Sequence, residues 1–360
     1  MTRTILRPTA FVDAPFGHDG KVARLAGGML WFAAVELLRL DDSNRLSRSE
    51  LVPVEGVEAS FDDDMAAQWQ AITQPRVPLQ LGERTIPLDQ PRVMGILNVT
   101  PDSFSDGGSH DSVDAACFAG ADMTTAGAAI LDVGGESTRP GARTVWEGDE
   151  IERVAPVIER LAKGGNAVSV DTRKAGVMER ALQLGAHMIN DVSALGWDER
   201  SVQVAAASDV PIVLMHAQGD PQVMQDNPRY DHPLIDIWLW LEDRVAWAAE
   251  RGIDKARLIL DPGIGFGKSV QHNLALMNGL AAFHGLGCPI LLGASRKRMI
   301  GALAGEAEAD QRLPGSLTLA LKAAEQGAQI LRVHDVPETV QALKVWRGLK
   351  DEALTPKLPL

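Results

Sequence analysis

VMGILNVTPDSFSDGGSHDSVDAACFAGADMTTAGAAILDVG, residues 93–134, decides the fold. It opens on a short apolar run with β-branched members, crosses a loop rich in Gly, Pro and Ser, and enters an Ala-rich stretch with helical spacing. A second apolar run, AILDVG, closes it. Strand, loop, helix, strand is the unit of a parallel sheet, because parallel strands need a crossover far longer than a turn.

The rhythm continues towards the C-terminus. Strands are predicted at 93–99, 129–134, 167–171 (AVSVD), 188–191 (MIND), 211–216 (PIVLMH), 258–262 (LILDP), 289–294 (PILLGA) and 330–335 (ILRVHD). Segments such as EIERVAPVIERLAK, AGVMERALQLG and PGSLTLALKAAEQG carry apolar residues three and four apart, as helices covering a barrel should. Eight such units joined by right-handed crossovers close on themselves. A doubly wound open sheet is the competing architecture, but no βα turn carries its GxGxxG fingerprint. The expected fold class is an α/β TIM barrel, (β/α)8, with a small N-terminal extension and a hairpin closing the barrel bottom.

That hairpin is read at VPLQLGERTIPLDQPRV, 77–93, which alternates around Gly82. What precedes it holds acidic clusters (Asp41, Asp42; Asp62, Asp63, Asp64), shows no βα rhythm, and reads as a small separate domain. The chain divides into 1–76, an extension whose role is not legible, 77–350, the barrel with its leading hairpin, and 351–360, a tail.

A length of 360 residues accommodates a barrel plus an appendage. With 45% hydrophobic and 23% charged residues, the chain has the composition of an ordinary soluble protein. Net charge is −13 and the Lys and Arg residues are scattered, which excludes nucleic acid or an anionic membrane as the main partner. Cys117 and Cys288 lie far apart with no metal or CxxC spacing, and read as buried free thiols. No secretory h-region is present at the N-terminus, and the longest apolar stretch, GGMLWFAAVELLRL, contains Glu36 and is too short to span a bilayer. A cytoplasmic enzyme is expected.

Barrel chemistry collects at the C-terminal strand ends. Those ends supply Asn98; Glu136 with Thr138 and Arg139; Asp171; Asn190 with Asp191; His216; Asp261; Ser295 with Lys297; and Arg332 with His334 and Asp335. One polar residue at a strand end is as often a cap as a ligand. Eight in succession predict a lined pocket. Arg139, Lys297, Arg332 and His334 suit phosphate oxygens, whereas Asp171, Asn190 and Asp261 offer acceptors and amides. A ligand with two unlike ends follows, a flat heterocycle and a pyrophosphate, with Asn98 as an oxygen ligand for Mg²⁺. The loops TPDSFSDGGSHDS and GGESTRPGARTVWEG are long for βα connections and read as mobile lids.

Two tempting signals are set aside. PGIGFGKS nearly spells a phosphate-binding P-loop, but Pro262 stands where its first glycine belongs. Trp238, Trp240 and Trp247 lie on a helical pattern and read as packing residues.

Taken together, MGILNVTPDSFSDGG (94–108), GGESTRPGA (134–142), SVDTRK (169–174), IND (189–191), LDPGIGFGK (260–268), GASRKRMIG (293–301) and RVHDV (332–336) resemble, in order, the successive motifs of dihydropteroate synthases. The resemblance spans about 91–348 and implies a barrel that joins a dihydropterin methyl pyrophosphate to 4-aminobenzoate, probed competitively by sulfonamides. By motif position it implies that Asp171, Asn190, Asp261 and Lys297 hold the pterin, with Met215 and Phe266 packing beside it and Thr138 also touching it. Asn98, Arg332 and His334, helped by Arg139, would hold pyrophosphate and Mg²⁺. Phe104, Pro140 and Ser295 would shape the aminobenzoate site. A homodimer is implied as well. Arg298 departs from the pattern, standing where some members carry a small hydroxyl residue, while the first loop lacks the insertion of sulfonamide-insensitive relatives.

Two rival functions are weighed. A pterin-binding methyltransferase would share the barrel and the pterin-holding carboxylate and amide, but has no use for Arg139, Lys297, Arg332 and His334. A catalytically silent paralogue would have lost some of the loop or pyrophosphate residues, and none is missing.

Overall fold

A computed structural model of the chain describes residues 3–100, 109–137, 144–219 and 227–355. The N-terminal extension is an antiparallel sheet. Its strands are β1 (Thr4–Val12), β2 (Ala23–Arg24), β3 (Trp31–Leu40) and β4 (Leu46–Pro53), with β3 paired to the other three. Helix α1 (Asp63–Thr73) follows, its first turn capped by the Asp62 carboxylate, which accepts from Met65 N. Gln68 on α1 fastens helix to sheet, its amide donating to Thr4 O at 2.7 Å and accepting from Leu6 N at 3.0 Å.

The extension is not set apart from the rest. Ile5, Leu6, Phe32 and Ile72 belong to one continuous apolar core with Trp238, Leu280 and Phe283 of the barrel's outer layer. Arg76 reinforces the junction by donating to His284 O at 3.1 Å. The sequence pattern missed this because β3 is apolar on both faces, so no alternation marks it as a sheet strand with an outer and an inner side.

The hairpin β5 (Leu79–Leu81) and β6 (Arg84–Ile86) turns at Gly82, whose φ is +62. Leu79, Leu81, Ile86 and Leu88 pack on Met94, Ile130, Ala167, Met188, Val213, Ile259, Leu291 and Ile330, residues at or near the starts of the eight barrel strands. The hairpin therefore closes the barrel bottom. Each of those four side chains contributes about 1.5–3 kcal/mol by leaving water, an upper bound given a compact unfolded chain.

The barrel strands are β7 (Arg92–Asn98), β8 (Ile130–Gly134), β9 (Val168–Asp171), β10 (Met188–Asp191), β11 (Ile212–Met215), β12 (Leu258–Asp261), β13 (Leu291–Leu292) and β14 (Ile330–Val333). All are parallel, in the order β12-β11-β10-β9-β8-β7-β14-β13, and a bridge between Leu260 and Ile290 closes the ring. All eight expected strands are present. Around them run α2 (Ser109–Ala126), α3 (Glu147–Lys163), α4 (Ala175–Gln183), α5 (Ser201–Ala207), α6 (Pro233–Ala249), α7 (Val270–Gly279), α8 (Arg298–Leu303), α9 (Leu313–Ala324) and α10 (Val336–Ala353). Helix α3 shows how the pattern works: Val154, Val157, Ile158 and Leu161 recur at helical spacing and are buried, while acidic residues fill its first turn and basic ones its last. Trp238 is core, donating to Ala282 O at 3.0 Å, and Trp247 stacks between Arg244 and Arg251. Both cysteines are free and buried. Among the described residues no helix is long and apolar enough to cross a membrane.

Candidate active site

The C-terminal mouth of the barrel is organised around Arg332 on β14. Its Nε donates to Asp132 Oδ2 on β8 at 2.6 Å, and its Nη2 to Asp171 Oδ2 at the end of β9 at 2.5 Å. Asn190 on β10 donates to the same Asp132 oxygen at 3.0 Å. Asp132 is fully buried, and because its carboxylate takes up the Asn190 amide nitrogen, what Asn190 has left to offer a ligand is its amide oxygen, an acceptor. Three inward polar atoms, Asp132 Oδ1, Asp171 Oδ1 and Ser169 Oγ, have no hydrogen-bond partner among the described residues. Buried acceptors left open in this way point to a ligand that supplies donors.

Charge follows from the same geometry. Burial pushes the Asp171 carboxyl up to about 7 against the pull of Arg332, with Asp132 adding repulsion. Arg332 would lose basicity by burial, yet Asp132 and Asp171 hold it above the ordinary arginine range. Two carboxylates thus share one guanidinium.

Across the mouth, Asp261 closes β12. Burial raises it to about 6, while the Gly263 N–H at 2.7 Å and the charges of Lys297, Lys268 and Arg332 favour its ionised form. The turn that follows needs its glycines: Gly263 has φ +70 and a Cβ there would stand 1.9 Å from His216 O, and a Cβ on Gly267 would stand 2.4 Å from Gln218 O. This turn carries Phe266, whose ring lies under the Lys297 ammonium at 3.9 Å. Met215, buried at the end of β11, is paired in register with Asp261. Ser295 Oγ meets His334 Nδ1 at 3.1 Å and accepts from His334 N at 3.2 Å, joining the last two strand ends. Asn98 sits half-buried at the end of β7.

Asp171, Asn190, Asp261, Lys297, Arg332, Met215 and Phe266 therefore fall in one mouth, as their strand-end positions predict. Four other strand-end residues face structural partners. Asp191 caps its own turn, accepting from Ser193 N, Ser193 Oγ and Leu195 N at 2.7–2.9 Å. Asp335 pairs with Arg296, and His216 is packed edge-on against Trp240. Glu136 lies in a buried network with Arg173 and Lys174, and also accepts from Val145 N at 2.8 Å; these contacts lower its pKa despite burial. A lining residue at every strand tip was too generous a prediction, because a carboxylate at a strand end can also satisfy the backbone N–H groups of the next turn. Phe104, Thr138, Arg139 and Pro140 lie outside the described residues. Arg298 is exposed on the first turn of α8.

Asp132 is the residue that strand-tip reasoning missed. It lies two positions before the end of β8, inside the barrel. The signal available was a lone carboxylate within an otherwise apolar strand.

Residues 94–334 match the family model of the pterin-binding enzymes. The dihydropteroate synthase of Escherichia coli strain K12 is 48% identical over 263 residues, which is 72% of this chain and 92% of that protein. Among solved structures, the Yersinia pestis dihydropteroate synthase with a sulfonamide drug superposes with a TM-score of 0.72 at 45% identity, covering 76% of this chain and 100% of that one. The Xanthomonas albilineans enzyme in complex with 7,8-dihydropteroate does so at 0.69 and 45%, covering 76% and 98%. With this likeness spread over the barrel and its motifs in order, the chain belongs to the dihydropteroate synthase family of pterin-binding enzymes.

Proposed function

We propose that the protein condenses (7,8-dihydropterin-6-yl)methyl diphosphate with 4-aminobenzoate to give 7,8-dihydropteroate and diphosphate. The observation that carries this reading is the buried acceptor set of Asp132, Asp171, Asn190 and Asp261 facing Lys297 and Arg332 in one mouth. A pterin edge presents ring and amino N–H donors beside acceptor atoms. Asp171, Asp261 and the Asn190 amide oxygen would receive the donors, Lys297 would donate to the acceptors, and Met215 and Phe266 would pack beside the ring.

The bond that breaks joins the pterin methylene carbon to a diphosphate oxygen, and the leaving group takes the electron pair. Asp171 and Asp261, ionised, favour the cation left on the pterin, and their buried positions make that interaction stronger than in water. Arg332 and His334, with Arg139 from the second loop, would hold the departing diphosphate, while Thr138 would touch the pterin. The 4-aminobenzoate nitrogen then donates its lone pair to the methylene carbon and loses its proton to solvent, so no protein base is assigned. Phe104, Pro140 and Ser295 would shape the place from which it attacks.

Magnesium fits this donor set. Mg²⁺ is usually held by few protein oxygens and mostly by phosphate, so a side-chain amide oxygen together with the diphosphate would suffice to bind it. Asn98 would supply its protein ligand, and the ion would neutralise charge on the diphosphate. A homodimer and a cytoplasmic location complete the reading. The first is checked by sedimentation of the purified chain, the second by fractionating the cells that make it.

The test is product formation from the two substrates. Formation of 7,8-dihydropteroate that falls sharply in Lys297→Ala and Arg332→Ala, with circular dichroism unchanged, supports the proposal. Transfer of a methyl group to or from a pterin would favour the methyltransferase, and pterin binding without turnover the silent paralogue.

A further inference from the structure

Lys268 has no place in the substrate contacts described above, yet it is only 3% exposed. Its ammonium points into the wall behind the pocket, 2.9 Å from His216 Nδ1, 3.2 Å from His216 O and 2.9 Å from Phe266 O. Its three donors thus meet three neutral acceptors, and among the described residues no carboxylate forms an ion pair with it. The neighbouring Ser269 is spent as well, capping α7 through His272 N. The lysine of the stretch that nearly spells a phosphate loop is thus held by a histidine and two backbone carbonyls.

Burying an ammonium among neutral groups is expensive, and a Met side chain would fill the same space without that cost. Burial accordingly pulls Lys268 down to about 7, with Asp261 opposing and Lys297 reinforcing the shift. The contacts show what the ammonium secures. His216 directly follows β11 and Phe266 belongs to the glycine turn after β12, so Lys268 ties the two together. Tyr230 adds a second tie, its hydroxyl donating to Gly267 O at 2.8 Å. Held this way, the turn presents Phe266 beneath Lys297 and directs the Gly263 N–H at Asp261.

We propose that Lys268 is a positioning residue for the pterin site: its ammonium fixes the 263–267 turn against the end of β11 and, from behind the pocket, supports the negative charge of Asp261. This rests on the dihydropteroate synthase reading. The groups facing Asp261 are Lys268 and the Gly263 N–H from the turn, Lys297 from the start of α8 and Arg332 from β14. Removing Lys268 leaves Asp261 with one cation fewer, so it ionises at higher pH.

The experiment measures binding of 6-hydroxymethylpterin by its fluorescence across the acid range, for the unmodified protein, Lys268→Met and Lys268→Gln, together with the KM for 4-aminobenzoate. Both variants should bind the pterin about tenfold more weakly, the size of one lost contact to a charged group. The pH below which binding fades should rise in both, while the KM for 4-aminobenzoate stays within about twofold. If the unmodified protein binds and the variants bind equally well with the same acid limb, Lys268 is structural and the proposal fails. An equal loss for both substrates, or loss of fold in both variants, overturns it too. Gln keeps two N–H donors without the charge, so it carries the test should Met alone fail to fold. Failure of the unmodified protein to bind any pterin would instead strike the function proposed for the whole site.

Discussion

Replacing Asp261 by Asn should stabilise the protein while abolishing its pterin site. Burial raises Asp261 from the ordinary 3.8 to about 6. A carboxyl whose folded pKa lies above its unfolded one keeps its proton longer in the folded state, so stability falls as pH rises between the two values. The penalty is absent below about pH 4 and complete above about pH 6. Two pKa units at 1.36 kcal/mol each put it at about 3 kcal/mol. Asn does not ionise, and its amide oxygen retains the bond from Gly263 N. The difference in unfolding free energy between variant and unmodified protein should therefore climb by about 3 kcal/mol from about pH 4 to about pH 7, while any constant offset from the substitution drops out. Urea titrations at a series of pH values measure it. A difference that is flat across that range, or that shrinks as pH rises, refutes the reasoning. Pterin affinity of the unmodified protein should fade as pH falls through about 7 and then about 6, where Asp171 and then Asp261 take up their protons.

Asp132→Ala strands the Arg332 Nε and the Asn190 amide in the barrel and should cost about 3–5 kcal/mol in urea unfolding, whereas Asp132→Asn, able to accept both bonds, should cost well under half of that. Gly263→Ala forces a Cβ against His216 O at a positive φ, and is expected to lower the melting temperature and remove pterin binding together. Arg332→Ala should reduce kcat by at least about a hundredfold, the scale of one preorganised group at a developing charge, in single-turnover measurements. Sulfonamides should compete with 4-aminobenzoate, raising its apparent KM with kcat unchanged; an unaltered rate at rising drug would contradict the assigned aminobenzoate site.

The barrel was legible because each strand is a short apolar run followed by a Gly- or Pro-bearing loop, and the motifs mark seven of the eight strand ends in order. The mouth was legible through Asp171, Asn190, Asp261, Lys297 and Arg332, which stand where a barrel displays side chains. Asp132 escaped because attention to strand ends overlooks residues one layer deeper, although period-two alternation puts Asp132 on the inward side of β8. Asp191, Asp335 and His216 looked like lining residues in sequence; Asp191 instead turns back onto its own loop at Ser193 and Leu195, while Asp335 and His216 turn towards partners farther along the chain, Arg296 and Trp240. The extension hid for a related reason. Its β3 is covered on both faces, so nothing in its pattern distinguishes a sheet packed on the barrel from an independent unit.

Diphosphate release from the pterin substrate, followed in the presence and absence of 4-aminobenzoate with 7,8-dihydropteroate quantified in the same samples, tests the central claim most directly. The account predicts one product molecule for each diphosphate released when 4-aminobenzoate is present, and loss of both in Arg332→Ala. Pterin binding with no release under any condition, or release never accompanied by dihydropteroate, would contradict it.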